Sequence, residues 1–328
     1  MVKNNKTKKQ TPSEWLWITD PWDTLDHPHD TTLRLAEAAA QAGIKQSWCD
    51  VKTIRLETDQ VLLDAQPILR IHPSREATSI QLGRARARHP SEFSKIFYRT
   101  DPPIDHAYLH PLELLALGTR NAKNCEFINP LSVLFGSNEK MEAAALDRFV
   151  PPSIISSQKD RLLHFGQKEG QVVLKPLHQA QSLGVELLNW STPQAAAAAL
   201  TKLEKTTHEF TRPVILQKYL KGIRDGEIRL WFLDGKLLAS IKKYPLSGDF
   251  RVSIDQGSQM GIIELKKADK LRVQLISRHL KKYKIRLAAV DLIDGFVTDF
   301  NFTSPGLLPQ MERILDKNLA KTIIQALT

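Results

Sequence analysis

Six charged side chains and one amide stand out in this chain for where they fall. Asp291 closes the apolar run Leu287, Ala288, Ala289 and Val290, and Asp299 and Asn301 sit within the stretch from Phe296 to Phe302. Lys175 interrupts "QVVLKPL", Arg229 interrupts "GEIRLWFL", Lys140 opens a helical stretch and Arg251 lies in a loop. A buried charge is expensive unless it is paired or holds a metal. The cations therefore need anionic partners, and the acidic trio needs a cation. A magnesium–polyphosphate complex would satisfy both: lysine and arginine clamp phosphate oxygens while two carboxylates and an amide oxygen hold Mg2+. A set of internal salt bridges would balance the same charges, and the residue types alone leave both open.

Strand parity states what the trio requires. Asp299 and Asn301 are two apart and so share one face of a strand. A two-residue turn at Asp294-Gly295 would pair Ile293 with Phe296, which puts Asp291 opposite Thr298 on the wrong face. A shared metal site therefore predicts an odd-length turn or a bulge, although "DG" favours the two-residue turn. With Asp291 across from Asp299 the Cβ atoms would lie about 4.5–5.5 Å apart, repulsive without a cation between the carboxylates.

The elements that must position these residues read as alternating strands and helices, an α/β chain with a mostly parallel sheet in its first part. "WLWITD" and "QSWCDV" read as strands flanking a helix, with Asp30 as its N-cap and Gly43 as its stop. The Arg-rich stretch 74–95 carries no clear pattern; "KIFYRTDPPID" runs from strand into loop, and "EFINP" is another strand. From 129 a loop leads to a helix from about Ser137, then strand "QVVLKPL" and helix "STPQAAAAALTKLEK", capped by Ser191 or Thr192. Strand "PVILQKYL" follows, then a hairpin turning at Asp234-Gly235. A basic helix with Leu271, Leu275, Ile276 and Leu280 at helical spacing precedes the trio's hairpin, and one helix, "MERILDKNLAKTIIQAL", closes the chain.

Composition narrows the class. The 328 residues need more than one core, and 42% hydrophobic with 25% charged residues is ordinary for a globular protein. No apolar run could span a bilayer, and "WLWI" is too short for a secretory core. Cys49 and Cys125 make no disulfide framework and no metal spacing, so a reducing cytoplasm is expected. His27 and His29 have no third ligand nearby and read as turn residues. The net charge of +10 includes a basic tail at residues 1–10, expected to be disordered, and the cluster Lys266 to Arg286. A single aromatic, Tyr283, falls within that cluster, too few for a stacking platform, so it reads as a solvated face rather than a nucleic-acid surface, and its field suits small anionic substrates. No G-x-x-x-x-G-K-[ST], G-x-G-x-x-G or nucleophile elbow occurs.

Five segments, in order, resemble the prokaryotic glutathione synthetases of the ATP-grasp superfamily: "YRTDPPID" (98–105), "NPLSVLFGSNEKM" (129–141), "VVLKPL" (172–177), "LQKYLKGIRDGEIRLWFLDGK" (216–236) and "AAVDLIDGFVTDFNFTSP" (288–305). The resemblance implies a Rossmann-like pre-ATP-grasp domain at 11–127, an ATP-grasp central or lid subdomain at 128–216, and a C-terminal subdomain with the magnesium site at 217–328. It implies ATP and Mg2+ as cofactors, small-molecule substrates and a homo-oligomer. Residue by residue, it gives Lys140 and Lys175 to the ATP phosphates and Gln217, Lys218, Tyr219 and Leu220 to an adenine-facing hinge. Glu227 falls near the ribose, Arg229 on the phosphate side, and Arg251 in the substrate loop. Asp291, Asp299 and Asn301 become the magnesium ligands. The implied reaction activates a carboxylate as its acyl phosphate, which an amine then attacks to form an amide.

The chain departs from the family pattern at defined places. Its lid loop is "HQAQS" (178–182), without glycine until Gly184, where glycines would let backbone amides wrap phosphates. The substrate loop is "DFRVSIDQGSQMG" (249–261), Pro309 stands where the family has arginine, and Asp299 stands where it has glutamate. These departures predict that γ-glutamylcysteine plus glycine is a poor substrate pair; the acyl substrate is expected to be γ-glutamylcysteine or a related γ-glutamyl or peptide carboxylate. The glycine-poor loop also admits an alternative, a degenerate ATP-grasp protein that binds nucleotide as a sensor or scaffold.

Overall fold

A computed structural model describes residues 13–27, 29–72, 79–146, 149–180, 182–252 and 257–328. The basic tail expected at 1–10 lies outside the described residues. Contacts divide the chain into two compact units: residues 1–100, 110–131 and 320–328 form one, and residues 101–109 and 132–319 the other.

The first unit is built on the parallel strands β1 (Trp15–Thr19), β2 (Gln46–Asp50), β7 (Lys95–Tyr98) and β8 (Glu126–Ile128), in the order β2-β1-β7-β8. α1 (Thr31–Gln41) connects β1 to β2. Asp30 caps it, its Oδ1 accepting from Leu33 N at 2.8 Å, and Gly43 leaves it at φ +73°. The described part of the Arg-rich stretch, from residue 79, carries two of three antiparallel additions to a long strand. β3 (Arg55–Glu57), β5 (Ser79–Leu82) and β6 (Arg86–Arg88) all pair with β4 (Gln60–His72), itself antiparallel to β2. α2 spans His106–Thr119.

Two sheets make up the second unit. A four-stranded antiparallel sheet has the order β11-β10-β12-β9, from β9 (Ser153–Ser156), β10 (Gln171–Pro176), β11 (Glu186–Asn189) and β12 (Val214–Lys218). Its Val172, Leu174, Val214 and Leu216 pack on Leu162 of α5 (Lys159–Glu169) and on Ala199 and Leu203 of α6 (Pro193–Thr206). Thr192 caps α6, accepting from Ala195 N. A five-stranded sheet has the order β15-β14-β13-β16-β17, from β13 (Glu227–Leu233), β14 (Lys236–Tyr244), β15 (Gln259–Ile262), β16 (Leu287–Ile293) and β17 (Phe296–Asn301). One face, with Leu230, Phe232, Val290, Leu292, Val297 and Phe300, packs on Ile276 and Leu280 of α7 (Lys267–Lys282). The alternation along each strand leaves the polar residues on the other face.

Three expectations need correction. The loop read before Ser137 contains a short helix, α3 (Leu131–Gly136), and α4 (Glu139–Ala144) starts afterwards with Asn138 as its cap. Leu271 is 57% exposed, so the apolar stripe of α7 is narrower than its leucines suggest. The single closing helix is two, α8 (Leu308–Leu315) and α9 (Leu319–Leu327), broken where Asp316 turns left-handed at φ +48°.

Candidate active site

The trio's hairpin resolves the parity problem with a bulge. Asp294 and Gly295, at φ +51° and +76°, form the two-residue turn that pairs Ile293 with Phe296. Leu292 pairs with Val297, but Asp291 pairs with Asp299, so Thr298 is an extra residue in β17. Asp291, Asp299 and Asn301 thereby share the polar face. The carbonyl of the extra residue, Thr298, accepts from Lys175 Nζ at 2.9 Å.

Around Asp291 the charges are closed. Arg229 lies directly across on β13 and grips it with two bonds, Nε to Oδ1 at 2.9 Å and Nη2 to Oδ2 at 2.6 Å. Lys243 Nζ adds a contact to Asp291 Oδ1 at 3.2 Å and an ion pair with Glu227, its cross-strand partner on β13. Burial pulls the Asp291 carboxyl upward, but Arg229 and Lys243 outweigh it and hold the group well below the usual carboxylate range. Burial and the neighbouring Asp291 push the Glu227 carboxyl up, against Lys243. Lys243 is 4% exposed and escaped the sequence reading.

At Asp299, on the same face, and at the two lysines near it the charges are open. Lys175, Gln217 and Ser153 share one face of the four-stranded sheet by register. Lys175 Nζ donates to Gln217 Oε1 at 3.1 Å, and Gln217 Nε2 donates to Ser153 Oγ at 3.3 Å. Lys140, 6% exposed on α4, donates to the Gln179 carbonyl of the lid loop at 2.5 Å. Neither lysine makes an ion pair among the described residues; each rests on neutral oxygens. Burial pushes the Lys175 ammonium below its usual range; Asp299 opposes that shift and Lys140 adds to it. Asp299 Oδ1 is buried with no donor. Asn301 spends its Nδ2 on Ala289 O and Asp291 Oδ2, both at 3.4 Å, which leaves its amide oxygen for a cation.

This donor set fits magnesium. Among the described residues no group of three His, Cys, Asp or Glu could hold a metal. Mg2+ does not require one, since it is usually bound by one or two carboxylates plus waters and substrate phosphates. The orphaned Asp299 oxygen is the atom such an ion would satisfy.

The hinge and substrate loop are placed differently. Lys218 N donates to Pro152 O and Tyr219 N to Gln171 O, while Lys218 Nζ turns away to Glu169 at 3.2 Å. Beside this segment an apolar cavity of about 550 Å3 is lined by Ala144, Val150, Pro152, Ser153, Ile155 and Phe296. Arg251 is not brought to the cluster. Its side chain is exposed and closes on Asp249 two residues back, Nη2 to Oδ2 at 3.0 Å. Gln181 of the lid loop and residues 253–256 of the substrate loop lie outside the described residues.

Comparison with known proteins makes this chain an ATP-grasp enzyme, a ligase that forms carbon–nitrogen bonds with ATP and Mg2+. The chain belongs to the prokaryotic glutathione synthetase family, matching its N-terminal domain over residues 14–133 and its ATP-grasp domain over 139–316. It is 28% identical over 312 residues to glutathione synthetase of Parasynechococcus marenigrum, covering 95% of this chain and 98% of that protein. To glutathione synthetase of Thermosynechococcus vestitus it is 27% identical over 317 residues, covering 94% and 97%. Among solved structures it resembles the D-cycloserine synthetase DcsG, with TM-score 0.63, 18% identity and coverage of 96% and 100%. The ATP-grasp ligase PsnB with its minimal precursor gives 0.62, 15%, and 97% and 99%. At these identities the structural likeness speaks to the fold. No helix among the described residues is long and apolar enough to cross a membrane.

Proposed function

We propose that this protein joins a carboxylate to an amine through an acyl phosphate, and that its acyl substrate is a γ-glutamyl dipeptide or related peptide carboxylate. The observation that carries this is the pair of lysines on neutral oxygens, Lys140 buried and Lys175 partly buried, beside an Asp299 oxygen that no donor satisfies. Two ammonium groups close enough to disfavour one another's charge are relieved by a polyanion.

Mg-ATP supplies the phosphoryl group and the charge neutralisation at its oxygens. Lys140 and Lys175 hold phosphate oxygens, and Asp299 and Asn301 hold the metal, with Asp291 beside them. Arg229 and Lys243, fixed on Asp291, present their remaining N–H groups towards charge developing on the transferred group. The Leu220 backbone and the apolar cavity by Pro152 receive the base, and Glu227 the ribose. A substrate carboxylate oxygen bonds to the γ-phosphorus as ADP leaves. The amine nitrogen then bonds to the acyl carbon, phosphate leaves, and the amine gives up a proton. Relatives named glutathione synthetase support γ-glutamylcysteine and glycine as the first pair to try. The local Asp249–Arg251 pair and the departures at 178–182 and Pro309 favour a different γ-glutamyl pair. A reducing cytoplasm suits the two free thiols, Cys49 and Cys125.

Phosphate release from Mg-ATP, measured across γ-glutamyl dipeptides and amino acids, tests this reading. Release that requires both a carboxylate and an amine is expected, with γ-glutamylcysteine plus glycine slower than the best pair. No release with any pair would overturn it.

A further inference from the structure

Glu139 lies near enough to Asp299 to feel its charge but makes no ion pair among the described residues; it is 7% exposed and its Oε1 accepts three hydrogen bonds. Phe302 N donates at 2.6 Å, Thr303 N at 2.9 Å and Thr303 Oγ1 at 2.9 Å. These donors lie immediately after Asn301, where β17 ends and the chain needs a new partner for each free N–H. Its neighbours on α4 make ties of the same kind. Asn138 Nδ2 donates to Leu177 O at 2.9 Å, and Lys140 Nζ reaches Gln179 O. Three consecutive residues thus bind the exit of the metal strand to the base of the lid loop that follows Lys175.

We propose that Glu139 is a positioning residue: by gripping the Phe302 and Thr303 amides it fixes the Asn301 end of β17 and holds the metal side chains in register with Lys140. The proposal rests on the Mg-ATP reading above. An ordinary first-turn glutamate in a helix remains in water near the helix N-terminus. Glu139 instead gives up its hydration to cap another segment's backbone, which costs stability unless the three bonds are kept. The bonds need reach, because the oxygen must arrive at a fixed point between three donors.

Two conservative variants separate reach from charge. Glu139→Gln keeps the oxygen at the same distance and loses the charge; Glu139→Asp keeps the charge and withdraws the oxygen by one methylene. Amide hydrogen exchange at Phe302 and Thr303, in the full chain without nucleotide, reads the grip directly. Mg2+ titration of binding to a non-hydrolysable ATP analogue reads its consequence. Positioning predicts that Glu139→Asp loses amide protection and needs at least about tenfold more Mg2+, the scale of other outer-shell changes, while Glu139→Gln stays within about threefold of the parent. The reverse order would mean that the charge acts rather than the reach, and would overturn the proposal. Equal behaviour of parent and both variants would overturn it as well. If the parent chain binds no Mg-ATP, the functional reading fails instead, and amide protection still decides whether Glu139 grips the strand.

Discussion

Two groups of buried charge lie side by side in the second unit, and they are built in opposite ways. The Arg229–Asp291–Lys243–Glu227 group is closed, since each member has an opposite charge within contact distance. The Lys140–Lys175–Asp299 group is open: its cations rest on carbonyl and amide oxygens, and one carboxylate oxygen has nothing. A closed group is part of the folded state and reports on stability. An open group is costly to the empty protein and is settled by a ligand, so it reports on binding.

The largest effect should come from breaking the closed group. Asp291→Ala leaves two buried cations short of their partner and should cost about 3–5 kcal/mol, read by urea denaturation of the empty protein. Because the Asp291 pKa is depressed in the folded state, its contribution is present above the usual 3.8 and fades as pH falls through the folded value. The variant should therefore lose part of the acid limb of the stability profile.

Asp299→Asn should do the opposite. It removes a carboxylate that lacks a donor, so the empty protein should melt no lower than the parent. The magnesium-dependent part of nucleotide binding should fall by about 10- to 100-fold, measured by calorimetry with and without Mg2+. A marked loss of melting temperature would mean that this group is closed after all.

A smaller effect concerns protons. The Lys175 pKa is lowered in the folded protein, so the charged form opposes folding, and this penalty lifts as pH rises through the folded value towards the usual 10.5. A bound phosphate restores the charge. Nucleotide binding just below pH 10.5 should then take up a proton, seen by calorimetry in buffers of different ionisation heat, and Lys175→Met should abolish the uptake. Smallest of all is Arg251→Ala: an exposed local pair contributes little, and KM for either substrate should move less than about threefold.

Residue types and order made much of this legible. The trio, Lys175 and Arg229 were visible as polar or charged residues in apolar strands, Lys140 as a cation opening a helix, and Asp30, Thr192 and the two Asp-Gly turns carried their own signals. Register was harder to read. Both Asp-Gly hairpins have two-residue turns and then one extra residue in the second strand, Thr298 in β17 and Leu238 in β14. Each bulge flips every later side chain to the other face. For the trio, the demand that three oxygens share a face predicted an odd-length turn or a bulge, and the structure has the bulge. In the other hairpin no such demand was recognised, and simple counting would place Lys242 across from Glu227 where the structure has Lys243. Glu139 was missed for another reason. An acid in the first turn of a helix is so ordinary that nothing in the sequence marks its partners 163 and 164 residues away.

The proposed function requires that the open group hold a magnesium-bound polyphosphate. Calorimetric binding of a non-hydrolysable ATP analogue, with Mg2+, to the parent chain and to Lys175→Ala tests it most directly. Losing charged hydrogen bonds of about 1.5–3 kcal/mol predicts about 10- to 100-fold weaker binding by the variant, with a melting temperature for the empty protein at or above the parent's. Equal affinity in parent and variant would mean that Lys175 does not hold the nucleotide.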